Sequence, residues 1–262
     1  MPYSTIRAEA DSRGVAAVTL NRPEVHNAFN DELIAELAAA LVDFGADPSI
    51  RAVVFAGAGK SFSAGADLNW MRRTSEYSAD ENRADALRAA ELMRTLDQLP
   101  KPTIARVHGA ALGGGSGLVA CCDIAVAADT AVFGLSEVRL GVVPAVISPY
   151  IVAAIGSRNA RRYFLTGERF PADEARRIGL VHEVAAEDDL DAAVARHVDA
   201  ILAGGPIAIT AAKRLVAEVA GRPIDDALSA TTADRIAALR SSEEGREGIA
   251  AFLEKRRPAW RK

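Results

Sequence analysis

The sequence has little cysteine, and its few histidines are not spaced as metal ligands. Its 262 residues include two cysteines, the adjacent Cys121 and Cys122 in an apolar run. Neighbouring cysteines rarely pair with each other, and a metal site needs more ligands. His108, His182 and His197 have no ligand-like spacing, so we interpret them as structural. The sequence therefore predicts a reduced, cytoplasmic protein without a disulfide or a metal.

The sequence also lacks an excess of positive charge, aromatic residues and a long apolar helix. The net formal charge is −4 and aromatic residues make up 5% of the chain. A nucleic-acid surface combines basic and aromatic side chains, so we expect no nucleic-acid partner. The longest uncharged window, 140–157, contains Pro144 and Pro149 and predicts buried loop and helix instead of a membrane span. The first residues contain no apolar signal core, and we expect no membrane partner.

Strand and helix patterns alternate up to about residue 185, which predicts an α/β fold. Asn30 is a candidate N-cap, and Ser78 with Glu81 forms a candidate capping box. From Glu187 onward the patterns are helical, with a break at Gly204-Gly205-Pro206. The predicted strands are 5–10, 15–21, 51–56, 103–107, 124–128, 131–133 and 180–184. The predicted helices are 31–44, 78–99, 146–155, 157–165, 171–179 and four in the tail.

A glycine turn follows the predicted strand 103–107. Gly113, Gly114 and Gly115 leave their N–H groups uncovered, and the apolar run that follows predicts a buried helix whose dipole favours an anion. A dinucleotide-binding fingerprint or a nucleophile elbow around Ser116 would need glycine at position 118, where Leu118 stands. Two interpretations remain open: an oxyanion site, or close packing of a helix on a strand.

Glu137 lies in a mostly apolar segment about twenty residues beyond this turn. Partial burial disfavours the charged form of a carboxylate, so we expect the pKa of Glu137 to be raised toward a useful acid/base range. An anion-holding turn together with such a carboxylate can form an enolate and protonate it again.

A second strand, small-residue loop and helix start surround S-F-S-A-G-A-D-L at 61–68. Together the two stretches resemble the enoyl-CoA hydratase/isomerase (crotonase) superfamily, and the resemblance covers essentially the whole chain. The similar segments are N-R-P-E-V-H-N-A-F at 21–29, F-S-A-G-A-D-L at 62–68, K-P-T-I-A-R-V-H-G-A-A-L-G-G-G at 101–115, C-D-I-A-V-A at 122–127 and F-G-L-S-E-V-R-L-G at 133–141.

The resemblance implies a crotonase-like spiral of strand-strand-helix turns with a C-terminal all-helical trimerisation region. It assigns the active site and the CoA groove to residues 1–200 and oligomerisation to residues 201–262. It also implies a homotrimer, or a hexamer built from two trimers.

The resemblance further implies a set of catalytic groups. The backbone N–H groups of Ala66 and Gly114 would stabilise the enolate oxygen, and Glu137 would be the acid/base. Family hydratases carry a second glutamate at the position that is Gly117 here. The reaction is therefore predicted to be hydration by a single glutamate, with an enoyl-CoA isomerase that uses Glu137 as a proton shuttle as the alternative. A non-catalytic RNA-binding or scaffolding member is a remote third alternative.

A closer similarity concerns the substrate. The segments A-D-L-N-W-M-R-R at 66–73 and S-E-V-R-L-G-V-V-P-A-V-I-S-P-Y at 136–150 look like those of hydratases acting on 3-methylglutaconyl-CoA and its isohexenyl relative. The usual family turn P-G-A-G-G is P-A-V-I-S here, as in that group. Arg139, Arg72 and Arg73 are candidates to bind a carboxylate on the acyl group.

The resemblance implies that coenzyme A enters as part of the acyl-CoA substrate, with no other cofactor. Phe252 and Lys255 would reach the groove from the tail of a neighbouring subunit. The substrate- and CoA-binding residues that it implies are Arg22, His26, Ala28, Ala64, Leu68, Gly113, Arg139, Phe252 and Lys255.

Overall fold

The computed structural model describes residues 3–261, which form nine strands and ten α-helices. The strands are β1 (Ile6–Ala10), β2 (Val15–Leu20), β3 (Ala52–Gly57), β4 (Thr103–Val107), β5 (Ala110–Leu112), β6 (Ile124–Ala128), β7 (Val132–Gly134), β8 (Arg169–Pro171) and β9 (Glu183–Ala185). The helices are α1 (Asp31–Ala46), α2 (Leu68–Thr74), α3 (Ala79–Asp97), α4 (Gly114–Cys121), α5 (Ser148–Thr166), α6 (Ala172–Ile178), α7 (Leu190–Ala203), α8 (Pro206–Val219), α9 (Asp226–Ser241) and α10 (Glu243–Leu253).

The strands form two sheets. The larger has the order β1-β2-β3-β4-β6-β9, and the smaller has the order β5-β7-β8. Only the β1–β2 and β7–β8 pairs are antiparallel. Two successive turns of the chain, β4-β5-α4 and β6-β7-α5, each give one strand to the larger sheet, one to the smaller, and then a helix. This arrangement confirms the predicted α/β crotonase-like spiral.

Side chains cap the first turns of α1 and α3. The side chain of Asn30 accepts a hydrogen bond from the Leu33 N–H at 2.8 Å, and Ser78 with Glu81 forms the predicted capping box. Behind these caps, apolar side chains at helical spacing, such as Leu33, Leu37 and Leu41 of α1, are fully buried in the core. Local sequence and core packing therefore agree at these helix starts.

Several predicted boundaries differ from the structure by a few residues. The last predicted strand begins only at Glu183, because Leu180 and Val181 are buried in the core before the chain reaches the sheet. The predicted helices 146–155 and 157–165 correspond to the two halves of α5, which is kinked at Gly156, where the φ of 74° is not helical, so the predicted break is confirmed. In the small sheet the predicted strand 131–133 is confirmed as β7, whereas β5 and β8 were not predicted.

The cysteines and histidines have structural surroundings. Cys121 and Cys122 are free and buried, and burial raises the pKa of both thiols. His182 Nδ1 accepts a hydrogen bond from the Ala125 N–H, and His197 Nε2 lies 2.9 Å from a carboxylate oxygen of Glu183. Among residues 3–261, no three His, Cys, Asp or Glu side chains cluster as a metal site would require.

The tail after Gly204 differs from the rest of the chain in what it leaves exposed. Helix α7 packs on the larger sheet through buried apolar residues such as Leu190 and Val194, whereas α8, α9 and α10 have few buried residues. The exposed apolar side chains of the tail include Val216, Ile224, Ile236, Ile249, Phe252 and Leu253. The predicted division between residues 200 and 201 stays a prediction.

No single helix in residues 3–261 is long and apolar enough to cross a membrane. By length and composition alone, only the segments 187–203 and 206–219 together would pass, and they are bent by 107°.

Candidate active site

The loop after β3 runs alongside β5. The Phe62 N–H donates to the His108 carbonyl, and Ser63 both donates to the Ala110 carbonyl and accepts from the Leu112 N–H, each at 2.9 Å. This ladder brings the A-G-A-D segment beside the glycine turn, although 47 positions separate Gly113 from Ala66 in the chain. The two segments that the sequence singled out are therefore neighbours in space.

The same loop is held on its other side by the N-terminal segment. The Phe29 N–H donates to the Gly65 carbonyl at 2.6 Å, and the Phe29 carbonyl accepts from the Asp67 N–H at 2.8 Å. These two bonds bracket Ala66, whose own N–H has no acceptor within residues 3–261. Ala66 is exposed, so its N–H is accessible to a ligand.

The glycine turn leaves a second free donor. Gly113 has φ 51° and ψ −118°, a conformation that favours glycine, and its N–H donates to the Gly134 carbonyl. The Gly114 N–H, at the first residue of α4, has no acceptor in the part of the chain that the structure describes. A Cβ on Gly113 would lie in van der Waals contact with the Cα of Gly65, at 3.8 Å, so the two segments are close neighbours. The structure therefore leaves the two predicted donors, Ala66 and Gly114, unpaired on adjoining segments.

An ion pair braces the loop that carries Ala66. Arg22 donates from Nη2 to Asp67 Oδ2 at 2.9 Å and from Nη1 to the Ala28 carbonyl at 2.5 Å. The other oxygen of Asp67 accepts from the N–H groups of Asn69 and Trp70, which caps α2. Burial alone would raise the pKa of Asp67, but these hydrogen bonds outweigh it and lower the pKa below its usual range.

The Glu137 carboxylate lies beside the glycine turn. It opens a 3₁₀ turn, Glu137–Leu140, directly after β7. A Cβ on Gly113 would lie 3.1 Å from Oε1 of Glu137, so the carboxylate reaches this turn because glycine leaves it open. Its Oε2 is buried and has no hydrogen-bond partner within residues 3–261. Burial raises the pKa of Glu137, as predicted from the sequence.

Gly117 lies one helical turn beyond Gly114. A Cβ at this position would stand 2.2 Å from Cγ2 and 2.9 Å from Cβ of Ile147, and 3.4 Å from Cε of Met93. The position at which family hydratases carry their second glutamate is therefore filled by an isoleucine from the start of α5.

The residues expected along the CoA groove also come together. The Ala64 N–H donates to the His26 carbonyl at 2.9 Å, which joins the two segments that carry them. Leu68 is 78% exposed, whereas Ala28 is buried and the Arg22 guanidinium is occupied by Asp67 and Ala28. The backbone of Arg22 is also engaged, because its N–H donates to Asn27 Oδ1 and its carbonyl accepts from the Asn27 N–H, so Arg22 supports the groove from within the chain. Phe252, which is 83% exposed, and Lys255 lie on the outer surface at the end of α10.

The three arginines proposed for a substrate carboxylate have different neighbours. Arg73 forms an ion pair with Asp31 at 2.7 Å, and Arg72 lies 3.4 Å from Asn69 Oδ1. The exposed Arg139 packs beside Gly167 and forms no ion pair within the described residues 3–261. Of the three, only Arg139 has no polar side-chain partner among residues 3–261.

Sequence reasoning missed three residues of this region. Asp67 was read only as part of a motif, and Ile147 only as a departure from the family turn. Trp70 was not singled out, yet its indole Nε1 is buried without a hydrogen-bond partner among residues 3–261. A tryptophan directly after a capped helix start was the only available signal.

Comparisons with known proteins agree with this architecture. The family model for enoyl-CoA hydratase/isomerase matches residues 10–262. The crystal structure of an enoyl-CoA hydratase from Shewanella pealeana is 44% identical, covers 98% of this chain and 96% of that one, and superposes with a TM-score of 0.95.

Two curated relatives are similar over nearly their whole lengths. Crotonyl-CoA hydratase of Syntrophomonas wolfei is 35% identical over 259 residues, 98% of each protein. Short-chain-enoyl-CoA hydratase of Clostridium acetobutylicum is 34% identical over 245 residues, 93% of this chain and 92% of the relative. The chain belongs to the enoyl-CoA hydratase/isomerase family.

Proposed function

We propose that the protein adds water to a 2-enoyl-CoA thioester, with Glu137 as its sole acid/base group. The observation that carries this proposal is the buried Glu137 Oε2, unpartnered within residues 3–261, on a carboxylate that reaches the glycine turn. An unpaired buried carboxylate oxygen costs folding free energy, so its retention is typical of a functional group. The names of the curated relatives support hydration over other reactions of the family.

In this mechanism the thioester oxygen accepts hydrogen bonds from the free N–H groups of Ala66 and Gly114. Water attacks the β-carbon, its proton passes to Glu137, and the electron pair of the double bond moves through the α-carbon to the thioester oxygen. The resulting enolate is stabilised by the two donors, each typically worth about 3 kcal/mol in such sites. Glu137 then returns a proton to the α-carbon, and the enolate collapses to the 3-hydroxyacyl-CoA.

The raised pKa of Glu137 suits both steps. A carboxylate that is harder to ionise is a stronger base when charged, and its proton is then available to the α-carbon. Because one group takes the proton from water and then returns it, the α-carbon receives that proton on the face of the substrate where Glu137 lies. The enolate is held by backbone donors, and the proposal therefore includes no cofactor beyond the CoA of the substrate.

We further propose that the acyl group is branched and carries a second carboxylate, as in 3-methylglutaconyl-CoA. Arg139 supports this proposal because its guanidinium is exposed and has no acidic partner within residues 3–261, two residues beyond Glu137. The groove along His26, Ala64 and Leu68 would hold the CoA moiety. An enoyl-CoA isomerase is the second candidate, because Gly117 and Ile147 leave Glu137 as a single carboxylate that could move a proton between two carbons.

The first experiment compares 3-methylglutaconyl-CoA with crotonyl-CoA by the loss of enoyl-thioester absorbance. Glu137→Gln should lower the rate on either substrate by about 10²- to 10⁴-fold, since it removes the acid/base group. Arg139→Ala should reduce the rate on the glutaconyl substrate more than on crotonyl-CoA, and EDTA should change neither. Appearance of the absorbance from a 3-enoyl-CoA, without hydration, would replace the hydratase by an isomerase.

We also propose that the protein assembles as a trimer, or as two trimers, through the tail. The exposed apolar side chains of α8–α10 support this, because a monomer would leave them in water. Phe252 and Lys255 would then lie near the CoA groove of a neighbouring subunit. Light scattering during gel filtration should give three or six times the monomer mass of 27.6 kDa, and a monomer would contradict the proposal.

A further inference from the structure

We propose that Ile147 excludes a second carboxylate from this active site and makes positions 117 and 147 a matched pair. This inference rests on the proposed function, since it explains why Glu137 acts alone. In the usual family turn P-G-A-G-G, glycine stands where this chain has Ile147, and family hydratases have glutamate where it has Gly117. The larger residue at 147 and the smaller residue at 117 therefore compensate each other in volume.

The contact between the two positions is direct. A Cβ at residue 117 would lie 2.2 Å from Cγ2 and 2.9 Å from Cβ of Ile147, closer than carbon atoms approach in folded proteins. Ile147 is 4% exposed and belongs to the main hydrophobic core, so it has little freedom to move aside. Met93 closes the same space at 3.4 Å. A glutamate at 117 therefore cannot be accommodated while Ile147 keeps its position.

Backbone conformation does not explain the glycine. Gly117 lies inside α4, where glycine is less favourable than alanine. Gly113 differs, because its φ of 51° favours glycine whatever its neighbours are. The helical conformation of Gly117 would accept any side chain, so the close approach of Ile147 is what requires glycine there.

The consequence for chemistry is an apolar wall one helical turn beyond the Gly114 donor. A second carboxylate at 117 would share the proton transfers with Glu137. With Ile147 in place, both the uptake of a proton from water and its delivery to carbon depend on Glu137. Ile147 thus determines how many acid/base groups the active site contains, because it leaves no room for a carboxylate at position 117.

The test uses Gly117→Glu, Ile147→Gly and the two combined. Gly117→Glu alone should lower the melting temperature by about 5 °C or more, because overpacking forces the core apart. The double variant should recover most of this loss. Ile147→Val is the matched control for the second change: it keeps Cγ2, so it should not rescue Gly117→Glu. A Gly117→Glu protein as stable as the parent, or equal rescue by valine and glycine, would overturn the packing claim.

Activity then tests the chemical claim separately. In the parent, Glu137→Gln should cost about 10²- to 10⁴-fold. In the Gly117→Glu/Ile147→Gly background the same change should cost at least tenfold less, because the new carboxylate takes over part of the proton transfer. An undiminished loss in a stably folded double variant would overturn the inference. Failure of the proposed function would appear differently, as absence of hydration in the parent itself.

Discussion

Asp67 and Glu137 are two carboxylates near the glycine turn, the first buried and the second half-buried, and they have opposite surroundings. Asp67 is 5% exposed and accepts hydrogen bonds from Arg22 and from the backbone of Asn69 and Trp70. Its pKa is lowered. Glu137 Oε2 has no partner within residues 3–261, and burial raises the pKa of that side chain.

The difference in hydrogen bonding separates a carboxylate that holds the structure in place from one that can transfer a proton. A carboxylate whose oxygens are saturated with donors is fixed in place and is a poor base, since every donor stabilises its charged form. A carboxylate without donors destabilises the fold slightly but can accept and return a proton. Asp67 therefore positions the Ala66 donor, while Glu137 moves the proton.

Of the two carboxylates, substitution of Asp67 should have the larger effect on the free energy of unfolding. Asp67→Asn keeps a capping oxygen for α2 but leaves the largely buried Arg22 guanidinium without its counter-charge. We expect a loss of about 3 kcal/mol in the free energy of unfolding, measured with urea at neutral pH. The kcat should fall by about tenfold while KM changes less, since Ala66 would be held less firmly against the enolate than against the thioester.

The pH dependence and a control sharpen this prediction. The pKa of Asp67 is lowered in the folded protein, so its contribution is present above the ordinary aspartate pKa and is lost as pH falls through the lowered value. The difference between parent and Asp67→Asn should therefore shrink in acid. Arg94→Ala is the control, because it breaks the exposed Arg94–Glu91 pair and should change neither stability nor kcat noticeably. Equal effects of the two variants would contradict a bracing role for Asp67.

The sequence predicted the local features of this site better than the contacts between residues that are distant in the chain. The strand before the glycine turn, the cap at Asn30 and the desolvation of Glu137 follow from local patterns, because short-range periodicity and composition determine them. Strand β7 of the small sheet was predicted, but its pairing with β5 and β8, the Arg22–Asp67 pair and the Ile147–Gly117 contact were not foreseen. These contacts join residues from 22 positions apart (Ala110 and Val132) to 45 positions apart (Arg22 and Asp67), and their proximity results from the spiral and not from local preference.

Substitution of Glu137 should change the stability less than substitution of Asp67, and it should raise the stability instead of lowering it. Because its pKa is raised in the folded protein, the parent loses stability as pH rises from the ordinary glutamate value through the raised one. Glu137→Gln has no charge to bury, so it should be the more stable protein at neutral pH, by about 1 kcal/mol or 2–4 °C in melting temperature. The gain in stability should shrink toward zero as pH falls to about 4 and below, because Glu137 of the parent then becomes protonated and is as neutral as glutamine. Glu76→Gln, at an exposed position, should show no such dependence. A Glu137→Gln protein less stable than the parent at pH 7 would mean that the carboxylate has partners, and that Glu137 resembles Asp67 after all.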